Sequence, residues 1–340
     1  MSVRVLHIGL GNVGRAVQEL IGVHAPDLSY CGQFTSNSGI FDIHGLPESQ
    51  QRGFPGNSKA AMTCTDAIQE IQTPFILIDT TASDQTGPLL ELALSRGGAV
   101  VMSNKKPLSA SQTQFDTLVR LGGNRLLYET TVGAGLPVIG TLGSLIATGD
   151  EIIRIQGCFS GTLGFIFSAI EDGASFSAAV RDASAKGYTE PDPRDDLSGV
   201  DVARKVLILA RVMGRKLEIT DVQLTSLFPS TMAAVEKSQF MAELNSLDAE
   251  YDRRKTTAAR AERVMRYVAT TTADVSRVGL EEVPVASEIG GLRGPNNLVV
   301  IQTKRYSSNP LIIKGPGAGI EVTAAGVFAD CLKAAEVLRR

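Results

Sequence analysis

Histidine is scarce in this chain. Only His7, His24 and His44 occur in 340 residues, all near the N-terminus. A zinc site or a histidine-based catalytic triad therefore has little to draw on. The four cysteines, Cys31, Cys64, Cys158 and Cys331, are scattered, and no two have metal-ligand or redox spacing. They read as reduced, mostly buried thiols of a cytosolic protein. Net charge is only −3, and there is no basic tract or basic stripe interleaved with aromatics. Nucleic-acid binding is thereby disfavoured. The N-terminus lacks the apolar core of a signal peptide. The longest uncharged run, Thr130 to Gly149, could span a bilayer by length, but it carries five glycines and a proline. A buried segment is the expectation, with no membrane association and a cytoplasmic location.

What is present suits a folded enzyme of two domains. Hydrophobic residues make up 43% and charged residues 20%, enough for substantial cores. "VRVLHIGL" reads as a buried parallel strand, and "GNVGRAVQELIGV" continues at helical period. Strand patterns recur at "LSYCGQF", "FILIDTT" and "GAVVMSN", with helical patterns between them. That alternation predicts an α/β fold: a Rossmann-type dinucleotide-binding domain over residues 1–130, completed by about 311–340. Residues 131–310 are expected to form an α+β substrate-binding and dimerisation domain. There "EIIRIQGCFS" and "NNLVVIQTKR" read as strands of a second sheet. "SGVDVARKVLILARVMG" and "LDAEYDRRKTTAARAERVMRYVAT" read as helices, and "GPGAGIEVTAAGVFADCLKAAEVL" as a closing glycine turn and helix.

Gly9, Gly11 and Gly14 lie between the first strand and the first helix, with Asn12 and Val13 inside the turn. Each glycine has a use there: a tight turn, close approach of backbone to a pyrophosphate, and helix–strand packing. The helix start adds unpaired N–H groups and a positive dipole end. The segment where an NAD site carries an acid reads Thr35-Ser36-Asn37-Ser38, with neither acid nor arginine. NADP is permitted and mildly favoured, and use of both cofactors is open. "DTTAS" and "SNKKP" end later strands, so Thr81, Ser103 and Lys105 are expected at the nicotinamide half of the cofactor. Elsewhere the two lysines of "SNKKP" would read as an exposed basic turn.

The densest polar stretch is "GYTEPDPRDDLSGVDVARK", residues 187–205, with five carboxylates and three basic residues. Ser198 is positioned to cap the following helix, and Asp201 and Lys205 share one helical face. A solvated ion pair is the plain reading. Against it, the helix is otherwise apolar, and Pro191 and Pro193 are expected to hold the preceding loop extended. Fixed carboxylates beside a partly buried lysine suit binding an ammonium group and handling a proton.

From Ala183 onward the stretch resembles the A-x3-G, then D-P-x2-D-L-x-G-x-D-x3-K pattern of homoserine dehydrogenases. Ala183, Gly187, Asp192, Pro193, Asp196, Leu197, Gly199, Asp201 and Lys205 fall on it. "GLGNVG", "SNKKPL", "ETTVGAGLPVIGTL", "GCFSGTLGFIF" and "GPGAGIEVTAAGVFADCL" are similar to the family's segments in the same order. The likeness is to the short form, without an aspartate-kinase or C-terminal sensing domain. It implies interconversion of L-homoserine and L-aspartate 4-semialdehyde with NAD(P)H, a step toward threonine, methionine and isoleucine. It also implies Lys205 and Lys105 beside the reacting oxygen, with Asp201 orienting Lys205. Glu190 and Asp196 would bind the substrate's ammonium group, and Tyr188 would line the pocket. A monovalent cation such as sodium would be held by the Glu129 carboxylate and the carbonyls of Val132, Ala134 and Leu136. Gly317 and Gly319 would lie near the cofactor, and the assembly would be a homodimer or homotetramer. Two rivals stay in view: an aspartate-semialdehyde dehydrogenase using Cys158 as nucleophile, and a non-catalytic NADP-binding sensor.

Overall fold

Buried β-branched runs build the first sheet. The computed structural model describes residues 2–54, 62–72 and 74–340. The strands are β1 (Val3–Ile8), β2 (Leu28–Phe34), β3 (Gly39–Phe41), β4 (Phe75–Asp79), β5 (Ala99–Met102) and β6 (Leu126–Leu127). Their order is β3-β2-β1-β4-β5-β6. All neighbours are parallel except the short edge strand β3, which is antiparallel to β2. The strand order reverses at β1, so the crevice beside the carboxyl ends of β1 and β4 is the switch point where such folds take their ligands. Helices Asn12–His24 and Ile320–Arg339 cover one face. Val17, Ile21, Val327 and Cys331 pack there on Val5, Ile76 and Val101. Burial of each large apolar side chain contributes roughly 1.5–3 kcal/mol.

The second sheet is mostly antiparallel. It comprises β7 (Ile152–Cys158), β8 (Gln223–Leu224), β9 (Arg263–Thr272), β10 (Ser276–Pro284), β11 (Asn296–Thr303) and β12 (Leu311–Pro316), in the order β12-β11-β7-β9-β10-β8. Leu298, Val268, Val283 and Leu292 form part of its core. The chain divides into two compact units, residues 1–135 with 319–340, and residues 136–318. Residues 311–316, expected with the cofactor domain, instead pair with β11 as the edge of the second sheet. The return to the first unit begins at Gly319.

Two further expectations need correction. The helix expected over 247–270 stops at Arg260, and Arg263–Thr272 is a strand. Glu262 takes φ +54°, a left-handed break that charge patterning does not announce, and the following β-branched residues pair with β7 and β10. Ser198 does not cap the helix Val200–Val212. Gly199 does, at φ +75°. A Cβ there would lie 1.9 Å from the Tyr267 hydroxyl, so this position needs glycine for conformation and for room. The uncharged run 130–149 becomes a turn and the helix Val138–Ala147. Among the described residues no helix is long and apolar enough to cross a membrane.

Candidate active site

The second unit gathers the charged residues. Helix Val200–Val212 buries Val202, Val206, Leu207, Ile208 and Leu209, and this apolar face carries the stem of Lys205 inward until the residue is only 8% exposed. Its Nζ donates to the Phe159 carbonyl at 2.7 Å and pairs with Asp201 at 2.8 Å. An ammonium has three donors, so one remains for a ligand oxygen. Asp201 sits one turn earlier, half-exposed, and holds the amine from the open side.

The loop before this helix is not simply extended, as its prolines suggested. Pro193 opens a short helix, Pro193–Leu197, at the first position where a missing N–H does no harm. Asp192 caps it by accepting from Arg194 N. That turn places Asp196 back on the loop, where its Oδ2 accepts from Glu190 N at 2.8 Å. Burial pushes the Asp196 carboxyl above its ordinary range. The Glu190 backbone N–H and the Thr162 hydroxyl oppose this, and the charges of Glu190 and Asp201 add to it. Thr162, at the start of helix Gly161–Glu171, shares its one hydroxyl proton between Asp196 and the Tyr188 carbonyl, 2.6 Å away. The Tyr188 ring is 44% exposed and packs 4.8 Å from Phe165. Lys205, Asp201, Asp196, Glu190 and Tyr188 thus form one cluster, and Thr162 is a member that motif reading missed. A wide hollow of about 580 Å³ nearby in sequence is lined by Asp192, Arg194, Phe228 and Glu236. It includes none of that cluster, and its arginine is already paired with Asp192 at 2.5 Å.

In the first unit the loop Gly9–Gly14 stands at the switch point. Gly9 has φ +91°, and a Cβ would lie 2.6 Å from Thr81 N. A Cβ on Gly14 would lie 2.3 Å from the Gly9 carbonyl oxygen, so close packing requires this glycine as well. Gly11 is different: a Cβ would meet nothing within 4 Å. It caps helix Asn12–His24 without a side chain, so the N–H groups of Asn12 and Val13 in the first turn face space fit for an anion. These features fit a dinucleotide.

Asp79, the last residue of β4 and the first of "DTTAS", organises the two neighbouring loops, a role that local pattern did not indicate. The residue is 0% exposed. Its carboxylate accepts from Thr81 N (2.9 Å), Thr81 Oγ1 (2.7 Å), Thr86 Oγ1 (2.7 Å) and Asn104 Nδ2 (3.1 Å). Four donors satisfy the buried charge. They also fix Thr81 and the "SNKKP" loop, in which Ser103 N donates to the Asp79 carbonyl and Lys105 is half-buried. Lys105 and Lys205 belong to different units.

The remaining expected positions lie in two segments, residues 129–136 and 317–319. Glu129 is buried, and its N–H donates to Asp330 on the closing helix at 2.9 Å. Val132 is fully buried, and Gly133 and Ala134 are left-handed at φ +83° and +53°. For alanine that conformation costs roughly 1–2 kcal/mol. Leu136 is the first residue of the second unit. Gly317 belongs to the second unit, where its backbone lies against the Asn297 side chain. Gly319, at φ +136°, caps helix Ile320–Arg339 in the first.

The sequence profile described as homoserine dehydrogenase matches residues 137–332. A homoserine dehydrogenase of Schizosaccharomyces pombe is 40% identical over 359 aligned positions, covering 98% of this chain and 95% of its own. A chloroplastic bifunctional aspartokinase/homoserine dehydrogenase of Zea mays is 44% identical over 77% of this chain, which spans only 29% of that protein's length. Among solved structures, a Candida auris protein of unknown function superposes with a TM-score of 0.92 at 32% identity, over 99% of both chains. A hyperthermophilic archaeal homoserine dehydrogenase in complex with NADPH superposes with a TM-score of 0.76 at 25% identity, over 99% of this chain and 98% of its own. With a profile spanning more than half its length and a near full-length relative at 40% identity, the chain belongs to the homoserine dehydrogenase family.

Proposed function

We propose that the protein is an NAD(P)-dependent homoserine dehydrogenase that interconverts L-homoserine and L-aspartate 4-semialdehyde. The observation that carries this reading is Lys205. It is a nearly buried amine held by Asp201 and the Phe159 carbonyl, one loop away from the Glu190–Asp196 pair. Oxidation removes a hydride from C4 of homoserine and a proton from its hydroxyl. NADP or NAD, held by the Gly9–Gly14 loop, would supply the hydride acceptor. In oxidation the Lys205 amine, with one proton fewer, takes up the hydroxyl proton; in reduction its remaining N–H points at the C4 oxygen, stabilises the negative charge developing there and returns the proton. Asp201 keeps the amine oriented. Glu190 and Asp196 receive the substrate's ammonium, whose charge offsets the cost of two neighbouring carboxylates. Tyr188 lines the same pocket, and Lys105 takes the second lysine role on the family resemblance.

Gly9, Gly11, Asn12, Val13 and Gly14 would hold the pyrophosphate, with Thr81, Ser103, Gly317 and Gly319 as further contacts. The Thr35–Ser38 turn is closed by its own hydrogen bonds, including Thr35 Oγ1 to Ser38 Oγ at 2.8 Å, and offers no acid to repel a 2′-phosphate. This supports NADP, with NAD as a second substrate. Glu129 with the carbonyls of Val132, Ala134 and Leu136 would hold sodium, a hard cation suited to oxygen donors. The family resemblance further supports a cytoplasmic homodimer or homotetramer serving threonine, methionine and isoleucine synthesis.

A cysteine mechanism is disfavoured. Cys158 is 4% exposed, and burial pushes its thiol up to about 12, far from the thiolate such chemistry needs. The test follows absorbance at 340 nm with L-homoserine and NADP, then NAD. Turnover is expected, faster with NADP. Tight NADPH binding without turnover would overturn the reading in favour of a sensor.

A further inference from the structure

His7 takes no part in the function proposed above. It lies near the end of β1 and is 0% exposed. Burial lowers its imidazole to about 3, so the ring is neutral across the physiological range. A neutral imidazole has one donor and one acceptor, and both are engaged. Nδ1 is 3.1 Å from the Tyr30 hydroxyl on β2, and Nε2 is 2.8 Å from Thr80 Oγ1, just past β4. Thr80 Oγ1 in turn lies 2.5 Å from the Gly9 carbonyl oxygen.

The direction of this chain is forced from its far end. A carbonyl can only accept, so the Thr80 hydroxyl donates to Gly9. Its oxygen therefore accepts from Nε2–H, which leaves Nδ1 to accept from Tyr30. Three hydrogen bonds in one direction thus cross β2, β1 and β4 and end on the first glycine of the loop. The peptide after Gly9 is planar and trans, so its carbonyl and the Leu10 N–H point opposite ways. With the carbonyl held on Thr80, the N–H is turned away from the sheet. Gly14 packs against this same pair, where a Cβ would lie 2.3 Å from the Gly9 carbonyl oxygen and 2.8 Å from Thr80 Oγ1. One carbonyl therefore fixes the loop relative to both β4 and the first helix.

We propose that Tyr30, His7 and Thr80 form a positioning relay that presets the Gly9–Gly14 loop for the dinucleotide, so that breaking it weakens cofactor binding while leaving the reaction at homoserine intact. This rests on the dinucleotide reading proposed above. A purely structural chain would change stability alone.

The test is NADPH affinity, by fluorescence titration of the whole protein, beside steady-state kinetics and melting temperature. Thr80→Val keeps the shape and removes the hydroxyl. Its NADPH Kd is expected to rise about tenfold, the usual effect of orphaning a buried polar group, with homoserine KM and kcat at saturating cofactor within about twofold of wild type. Thr80→Ser should restore the affinity. Tyr30→Phe should move Kd the same way by less. Thr80→Val with a lowered melting temperature and unchanged Kd would overturn the proposal. If Thr80→Val does not fold, an unchanged Kd in Tyr30→Phe would do so. Wild-type protein that binds no NADPH would overturn the dinucleotide reading itself, a failure visible before any variant is made.

Discussion

Gly9, Gly11 and Gly14 contribute backbone N–H groups and room, whereas Glu190, Asp196, Asp201 and Lys205 contribute charge. The first region holds its shape through contacts that a single added methyl would break, such as the 2.3 Å approach at Gly14. The second buries a carboxyl among like charges, and burial first, then the charges of Glu190 and Asp201, raises the Asp196 carboxyl. Affinity for the cofactor and chemistry on the substrate should therefore fail separately when either region is altered.

The largest separation is expected at Lys205. Lys205→Ala should lower kcat/KM for homoserine about a hundredfold, the scale of a lost acid–base group, with NADPH affinity unchanged in a fluorescence titration. A parallel loss of NADPH affinity would break the contrast. Gly14→Ala should do the reverse. It should weaken NADPH at least about tenfold and cost about 1–3 kcal/mol of stability through overpacking, measurable by denaturant titration.

Asp196→Asn should trade function for stability. A carboxyl raised in the folded state holds its proton more tightly there than in the unfolded chain. As pH climbs above the ordinary aspartate value of about 3.9, the folded state is penalised, and the penalty persists at neutral pH. The variant should melt higher than wild type at pH 7, with the difference shrinking toward pH 4, while homoserine KM rises about tenfold as a charged hydrogen-bonding partner is lost. A variant that melts lower at pH 7 would show that Asp196 supports the fold rather than the substrate. The smallest effect is expected at Cys158. Cys158→Ser should keep activity within about twofold, because a buried neutral thiol takes no part in hydride transfer.

Both regions were visible in the sequence for different reasons. The glycine loop follows a short apolar strand and precedes a helix, a local context within fourteen residues. The acidic segment is compressed into nineteen residues with fixed spacing. What escaped was long-range. Asp79 meets Asn104 across 25 positions, and His7 meets Thr80 across 73, so no local pattern could pair them. Thr162 joins Tyr188 across 26. The switch from helix to strand after Arg260 escaped because the break falls on one left-handed residue, Glu262, whose type gives no stop signal before the β-branched residues that follow. Ser198 suggested a cap by type and spacing, but the backbone uses the left-handed Gly199, where the Tyr267 hydroxyl leaves no room for a side chain.

The most direct test of the account is to supply L-aspartate 4-semialdehyde with NADPH carrying deuterium at both C4 positions of its nicotinamide and to analyse the product by mass spectrometry. The account predicts L-homoserine with one deuterium at C4. Homoserine without deuterium, or no homoserine at all, would contradict it.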